Sequence, residues 1–174
     1  MRLTPNAQGV FPIAPTAFHP DGRIDTASMD RLTDFYVACG ATGVTVLGQM
    51  GEAPKLSHGE SVAITTQMIR RAPSLPVIVG VSSPGFASMH ALTQEVMAAG
   101  AAAVMIGPPN TLRTDDQVIN YYRQAADALG VSLPQTANAA QLMQACAAHG
   151  MADLDHSALV RALEIMAAHQ VAPG

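Results

Sequence analysis

The stretch VLGQMGEAPKLSHGE, residues 46–60, sets two glycines around two side chains and carries the only lysine of the chain, Lys55. Gly48, Gln49, Met50 and Gly51 follow the short apolar run GVTVLG (43–48), which reads as a buried strand. Glycines in such a turn let the backbone approach a ligand closely. Its free N–H groups can hold a carboxylate. A tight turn that binds nothing fits the same pattern, because most glycine turns only redirect the chain. An amine nucleophile needs a desolvated pocket. Nothing around Lys55 offers one, so it reads as a solvated surface lysine.

Other candidate chemistry is sparser. Ser82 and Ser83 end an apolar run and could meet a substrate, but beside Pro84-Gly85 the commoner role is turn formation. No G-x-S-x-G elbow is present. His19, His58, His90, His149, His156 and His169 lie scattered, whereas zinc needs three or four clustered ligands. No metal is expected. Cys39 and Cys146 are isolated in sequence and read as buried packing residues of a reducing compartment. Apolar residues make up 49% of the 174 and charged ones 13%, with a net charge of −4. That balance argues against disorder. It gives no reason to expect nucleic acid or an anionic membrane as partner. No long apolar run suggests a membrane span. The N-terminus lacks a signal-peptide core, so a cytoplasmic location is expected.

The elements that must position this chemistry alternate. Apolar runs at 9–18, 43–48, 76–82 and 102–107 are too short for helices and lack period-2 alternation, as do parallel strands covered on both faces. Between them, helices are expected over 25–40, 57–72, 86–100 and 114–130. Asp25 opens the first. Ser57 with Glu60, and Thr114 with Gln117, form capping boxes. ACGATGVTVLG (38–48) and AAGAAAVMIG (98–107) echo each other, so helix end, glycine turn and strand are built the same way twice. Four βα units mean a parallel sheet, either open and doubly wound or part of a barrel. Ligand sites in such sheets lie beyond the C-terminal strand ends, here at 16–18, 48–52, 82–84 and 107–113. After Gly130 no strand-like run follows. Helices are expected over 136–149 and 156–169, the second capped by Asp153 or Asp155. Its stripe of Leu159, Val160, Leu163 and Met166 reads as core or interface. The expected organisation is a barrel-like part, 1–130, and a helical tail, 131–174.

GVFPIAPTAFHPDGRID, GVTVLGQMGEAPKLSHGE, PVIVGVSSPG and AAGAAAVMIGPP occur in an order and spacing that resemble the dihydrodipicolinate synthase and N-acetylneuraminate lyase family over residues 9–130. The resemblance implies an α/β fold, a partial (β/α)8 TIM barrel of four βα units, followed here by the two-helix tail. It also implies class I aldolase or lyase chemistry through a Schiff base with an α-keto acid such as pyruvate, without metal or nucleotide cofactor. The family's loop usually reads G-T-T-G-E, and its threonines and amides hold the keto-acid carboxylate. Gln49 and Met50 stand at the threonine positions. Met50 has no side-chain donor, which leaves the backbone amides near Met50 and Gly51. The substrate-binding residues so implied are Gly48, Gln49, Met50, Gly51 and Thr111. Where the family often carries a tyrosine pair after its fourth strand, this chain has Pro108, Pro109, Asn110 and Thr111, with Tyr121 and Tyr122 further on, inside the fourth helix. The family's Schiff-base lysine and proton-relay tyrosine belong to its sixth and fifth strands, which this sequence lacks. No catalytic residue is therefore assigned, and the chain as written is expected not to turn over substrate.

The segment ALGVSLPQTANAAQLMQACAAHGMADLDHSALVRALEIMA, with G-x-x-L-P-x-T from Gly130 and D-H-S-A-L from Asp155, is similar to the C-terminus of beta-hydroxyacid dehydrogenases. That likeness implies an alternative, a fragment of an NAD-dependent oxidoreductase, although no G-x-G-x-x-G fingerprint occurs here. A non-enzymatic assembly module is a further alternative. Half a barrel exposes two strand edges, so a homo-oligomer is expected.

Overall fold

The computed structural model describes residues 2–4, 6–131 and 148. The chain falls into two compact units, Met1–Pro109 and Asn110–Gly174. In the first unit the order is helix α1 (Thr26–Ala38), strand β1 (Val44–Val46), a 3-10 turn (Ala53–Lys55), α2 (His58–Arg71), β2 (Val77–Gly80), α3 (Phe86–Ala98) and β3 (Ala103–Met105).

Helix boundaries follow local chemistry. The Asp25 carboxylate accepts from the Ser28 N–H at 2.9 Å and starts α1. The Ser57 hydroxyl accepts from the Glu60 N–H, and the Glu60 carboxylate accepts from the Ser57 N–H at 2.8 Å, closing a capping box on α2. The repeated helix endings form the same motif. Gly40 (φ +73°) and Gly100 (φ +109°) take the left-handed conformation after α1 and α3. Ala41 N–H donates to Tyr36 O and Ala101 N–H to Val96 O, each at 3.0 Å. These are the six-to-one bonds of a Schellman ending.

The sheet is parallel and ordered β1-β2-β3, with Val44 beside Val77 and Ile78 beside Ala103. The expected strand over 9–18 contributes one parallel bridge, Ile13 to Thr45. Ala14 N–H donates to Thr45 O, and Thr45 N–H to Pro12 O, both at 2.8 Å. Pro12 has no N–H to donate back toward Gly43, and only a longer 3.4 Å contact from Gly43 N–H to Val10 O continues the pairing on that side. The segment then turns back in a hairpin, bridging Phe18 to Ile24.

Val44, Val46, Val77 and Val79 are at most 2% exposed and form the core with Met68 and Met89. Burial of each such side chain contributes roughly 1.5–3 kcal/mol. α1 packs on α2 and α2 on α3. Consecutive crossovers therefore share one face of a sheet in sequential order. That is the arrangement of a barrel wall, and it removes the doubly wound alternative. The helices are pinned by polar contacts at their outer rims. Arg71 forks onto Asp34 at 2.8 and 2.6 Å, and this hydrogen bond holds the Asp34 carboxyl below its ordinary range. Gln67 bridges Thr26 O and Asp30 at 2.7 Å each. His58 meets Glu95 at 2.8 Å.

One expectation is overturned. Cys39 is exposed rather than buried. α1 buries Met29 and Thr33, and continuing that helical period reaches Tyr36 and Gly40, leaving Cys39 off the packed side.

In the second unit, α4 (Asp115–Leu129) opens on the capping box of Thr114 and Gln117 and ends at Gly130 in the left-handed conformation. Tyr121, Ala125 and Ala126 are its buried residues. The expected helices 136–149 and 156–169, with Cys146, His156 and the Leu159 stripe, lie outside the described residues, apart from residue 148 within the first of them. No helix among the described residues is long and apolar enough to cross a membrane.

Candidate functional site

The loop that leaves β1 is tightly constrained. Leu47, only 3% exposed, has a left-handed backbone (φ +57°), which is uncommon for a branched apolar residue. Its carbonyl lies against β2 where Gly80 has no side chain; a Cβ there would stand 2.2 Å from the Leu47 oxygen. Gly48 passes the Ile13 side chain so closely that a Cβ would touch Cγ2 at 3.0 Å. The loop then closes on itself. Gly51 N–H donates to Gly48 O and Glu52 N–H to Gln49 O, each at 3.0 Å. The Gly51 carbonyl accepts from the buried Thr16 hydroxyl at 2.6 Å.

Four of the five expected site residues are thus in one turn at the C-terminal end of β1. The Gly51 amide is already spent inside it. The N–H groups of Gln49 and Met50 donate to no described atom, and both residues are exposed, Met50 at 62%. Two adjacent free amides in a turn are suited to a carboxylate. Thr111 is an exposed turn residue of the other unit, Asn110–Gly174. Lys55 ion-pairs with Glu52, and its side chain is 72% exposed, the opposite of a desolvated nucleophile's pocket.

The neighbouring strand ends are tied together. Ser82 Oγ accepts from the Gly107 N–H at 2.7 Å, joining the ends of β2 and β3. Ser83 accepts from the Gly85 N–H at 3.2 Å, the turn-forming role its sequence context implied. Sequence reasoning missed Leu47 and Gly80. A glycine inside the apolar run PVIVGVS was the available signal, since such a glycine often marks close backbone approach.

Parallel strands joined by helices on one face define a partial (β/α)8 barrel, and the glycine turn lies at the C-terminal strand end, where such barrels usually carry their sites. The chain belongs to the dihydrodipicolinate synthetase family, whose model matches residues 6–142. It is 34% identical over 122 residues to the 4-hydroxy-tetrahydrodipicolinate synthase of Acidiphilium cryptum (strain JF-5), covering 68% of this chain and 41% of that one. The crystal structure of dihydrodipicolinate synthase from Rhodopseudomonas palustris superposes with a TM-score of 0.70 at 59% identity, over 74% of this chain and 43% of that one. The dihydrodipicolinate synthase of Acinetobacter baumannii, solved in complex with pyruvate, gives a TM-score of 0.65 at 26% identity, over 72% and 44% of the two chains. This chain therefore spans less than half the length of the relatives it matches.

Proposed function

We propose that this chain supplies the carboxylate-binding half of a class I aldolase or lyase barrel that acts on an α-keto acid such as pyruvate. The observation that carries the reading is the pair of N–H groups at Gln49 and Met50 that meet no acceptor among the described residues, set in a constrained turn beyond β1. The pyruvate complex of the Acinetobacter baumannii relative supports the ligand class. In this role the two amides take the carboxylate and fix the orientation of the adjacent ketone. A Schiff base then needs an amine that attacks the ketone carbon with loss of water. Lys55, exposed and paired with Glu52, is not that amine, and the 174 residues hold no other lysine. The covalent step therefore falls outside this chain.

Trapping tests this division of labour. The 174-residue chain is incubated with pyruvate and borohydride and weighed intact. The expected mass is that of the unmodified chain. A reduced pyruvate adduct on Lys55 would show that the amine is present after all.

The same reading treats residues 1–130 as the barrel-forming part, 131–174 as a separate helical tail, and the protein as cytoplasmic. It expects a homo-oligomer, because the exposed Ile13 and Met105 stand at the two ends of the parallel wall. Light scattering at micromolar concentration should give at least a dimer; a monodisperse monomer would count against association.

A further inference from the structure

Resting on the carboxylate site just described, we infer that Thr16 is a positioning residue for it, acting through the Gly51 carbonyl. Thr16 lies 35 residues before Gly51 in sequence, on the segment that follows the Ile13 bridge, and it is itself 7% exposed. Its hydroxyl donates to the Gly51 carbonyl at 2.6 Å, and Gly51 is buried. That carbonyl belongs to the residue whose N–H closes the turn onto Gly48. At the other end of the turn, Leu47 is held left-handed against Gly80. The loop is thus clamped at both ends, by a backbone contact at Leu47 and by one side-chain hydroxyl at Gly51. Between the clamps lie the amides of Gln49 and Met50, which donate to no acceptor among the described residues. Without the hydroxyl the Gly51 carbonyl is a buried acceptor lacking its partner, a costly state that the turn relieves by moving toward solvent. Movement of Gly51 carries Met50 with it, since the two share a peptide bond. Thr16 touches no ligand in this scheme; it fixes where the amides stand.

The test compares Thr16→Val, which keeps the shape and removes the donor, with Thr16→Ser, which keeps the donor. Thr33→Val is the control, because Thr33 is also buried and its hydroxyl donates to Met29 O inside α1 rather than to the loop. In the ligand-free chain, amide exchange of Gly51 and Glu52 should speed up about tenfold in T16V, return close to the wild-type rate in T16S and stay unchanged in T33V, the size expected for one lost buried hydrogen bond. Pyruvate affinity by calorimetry should fall about tenfold in T16V and no more than about threefold in T16S, with T33V at the wild-type value. Wild-type exchange at Gly51 and Glu52 in T16V, or wild-type pyruvate affinity in that variant, overturns the inference. Loss of both properties in T16S, despite its hydroxyl, also overturns it and decides the matter if T16V does not fold. A wild-type chain that ignores pyruvate would sink the carboxylate reading, while the exchange comparison still judges the role of Thr16.

Discussion

The carbonyl of Leu47 rests on the backbone of Gly80, at a separation that leaves no room for a side chain on β2. A Cβ at position 80 would meet the Leu47 oxygen at 2.2 Å, its carbonyl carbon at 2.8 Å and the Gly48 nitrogen at 3.3 Å. All three are backbone atoms of the site loop, so no rotamer change relieves the clash.

Gly80→Ala should therefore destabilise the first unit by about 1–3 kcal/mol, the usual range for forcing extra volume into a packed core. Urea unfolding followed by circular dichroism measures it. A midpoint equal to that of the native chain would mean that the Leu47 turn is easily displaced.

Met50→Thr should strengthen pyruvate binding. Met50 is exposed beside the free amides and contributes no donor. A hydroxyl there adds one hydrogen bond to a carboxylate held by the turn, worth about three- to tenfold in affinity. Calorimetry on the two chains decides; equal or weaker binding by the variant would mean that side chain 50 does not face the ligand.

Acid should lower the stability of the chain through its paired carboxylates. Asp34 is lowered by the hydrogen bond from Arg71, Asp25 by Ser28, Asp21 by Arg23 and Glu60 by Ser57. The ordinary values are 3.8 for the aspartates and 4.5 for Glu60. Below these values the unfolded chain takes up protons that the folded chain resists. The stabilisation is thus complete above the ordinary values and is lost as pH falls through the lowered, folded ones. Urea midpoints measured from about pH 6 down to about pH 2 should decline across that window. Asp34→Asn should flatten part of the decline; an unaltered slope would show that the Arg71 pair contributes nothing to it.

Much of the fold was legible because its signals are local. Asp25, the Ser57–Glu60 box and the Thr114–Gln117 box start helices where the sequence places them, and Gly40 and Gly100 end two of them in one repeated motif. Signals that act through tertiary partners were not legible. The run 9–18 looks like a strand by apolarity, yet with no N–H at Pro12 it forms a single bridge to β1. Cys39 follows the usual tendency of cysteine to be buried only until the helix phase set by Met29 and Thr33 is known. The left-handed Leu47 depends on Gly80, 33 residues later, and the Gly51 clamp on Thr16, 35 residues earlier. The glycine pattern marked the loop, but the distant contacts that hold its two ends left no local signal.

The most direct test of the central claim is an amide-resolved titration of the isotope-labelled chain with pyruvate and, separately, with its uncharged methyl ester. If the Gln49 and Met50 amides hold the carboxylate, pyruvate should shift both resonances saturably and the ester should leave them in place. Equal shifts from both compounds, or pyruvate-induced shifts that bypass Gln49 and Met50, would contradict a carboxylate site in this loop.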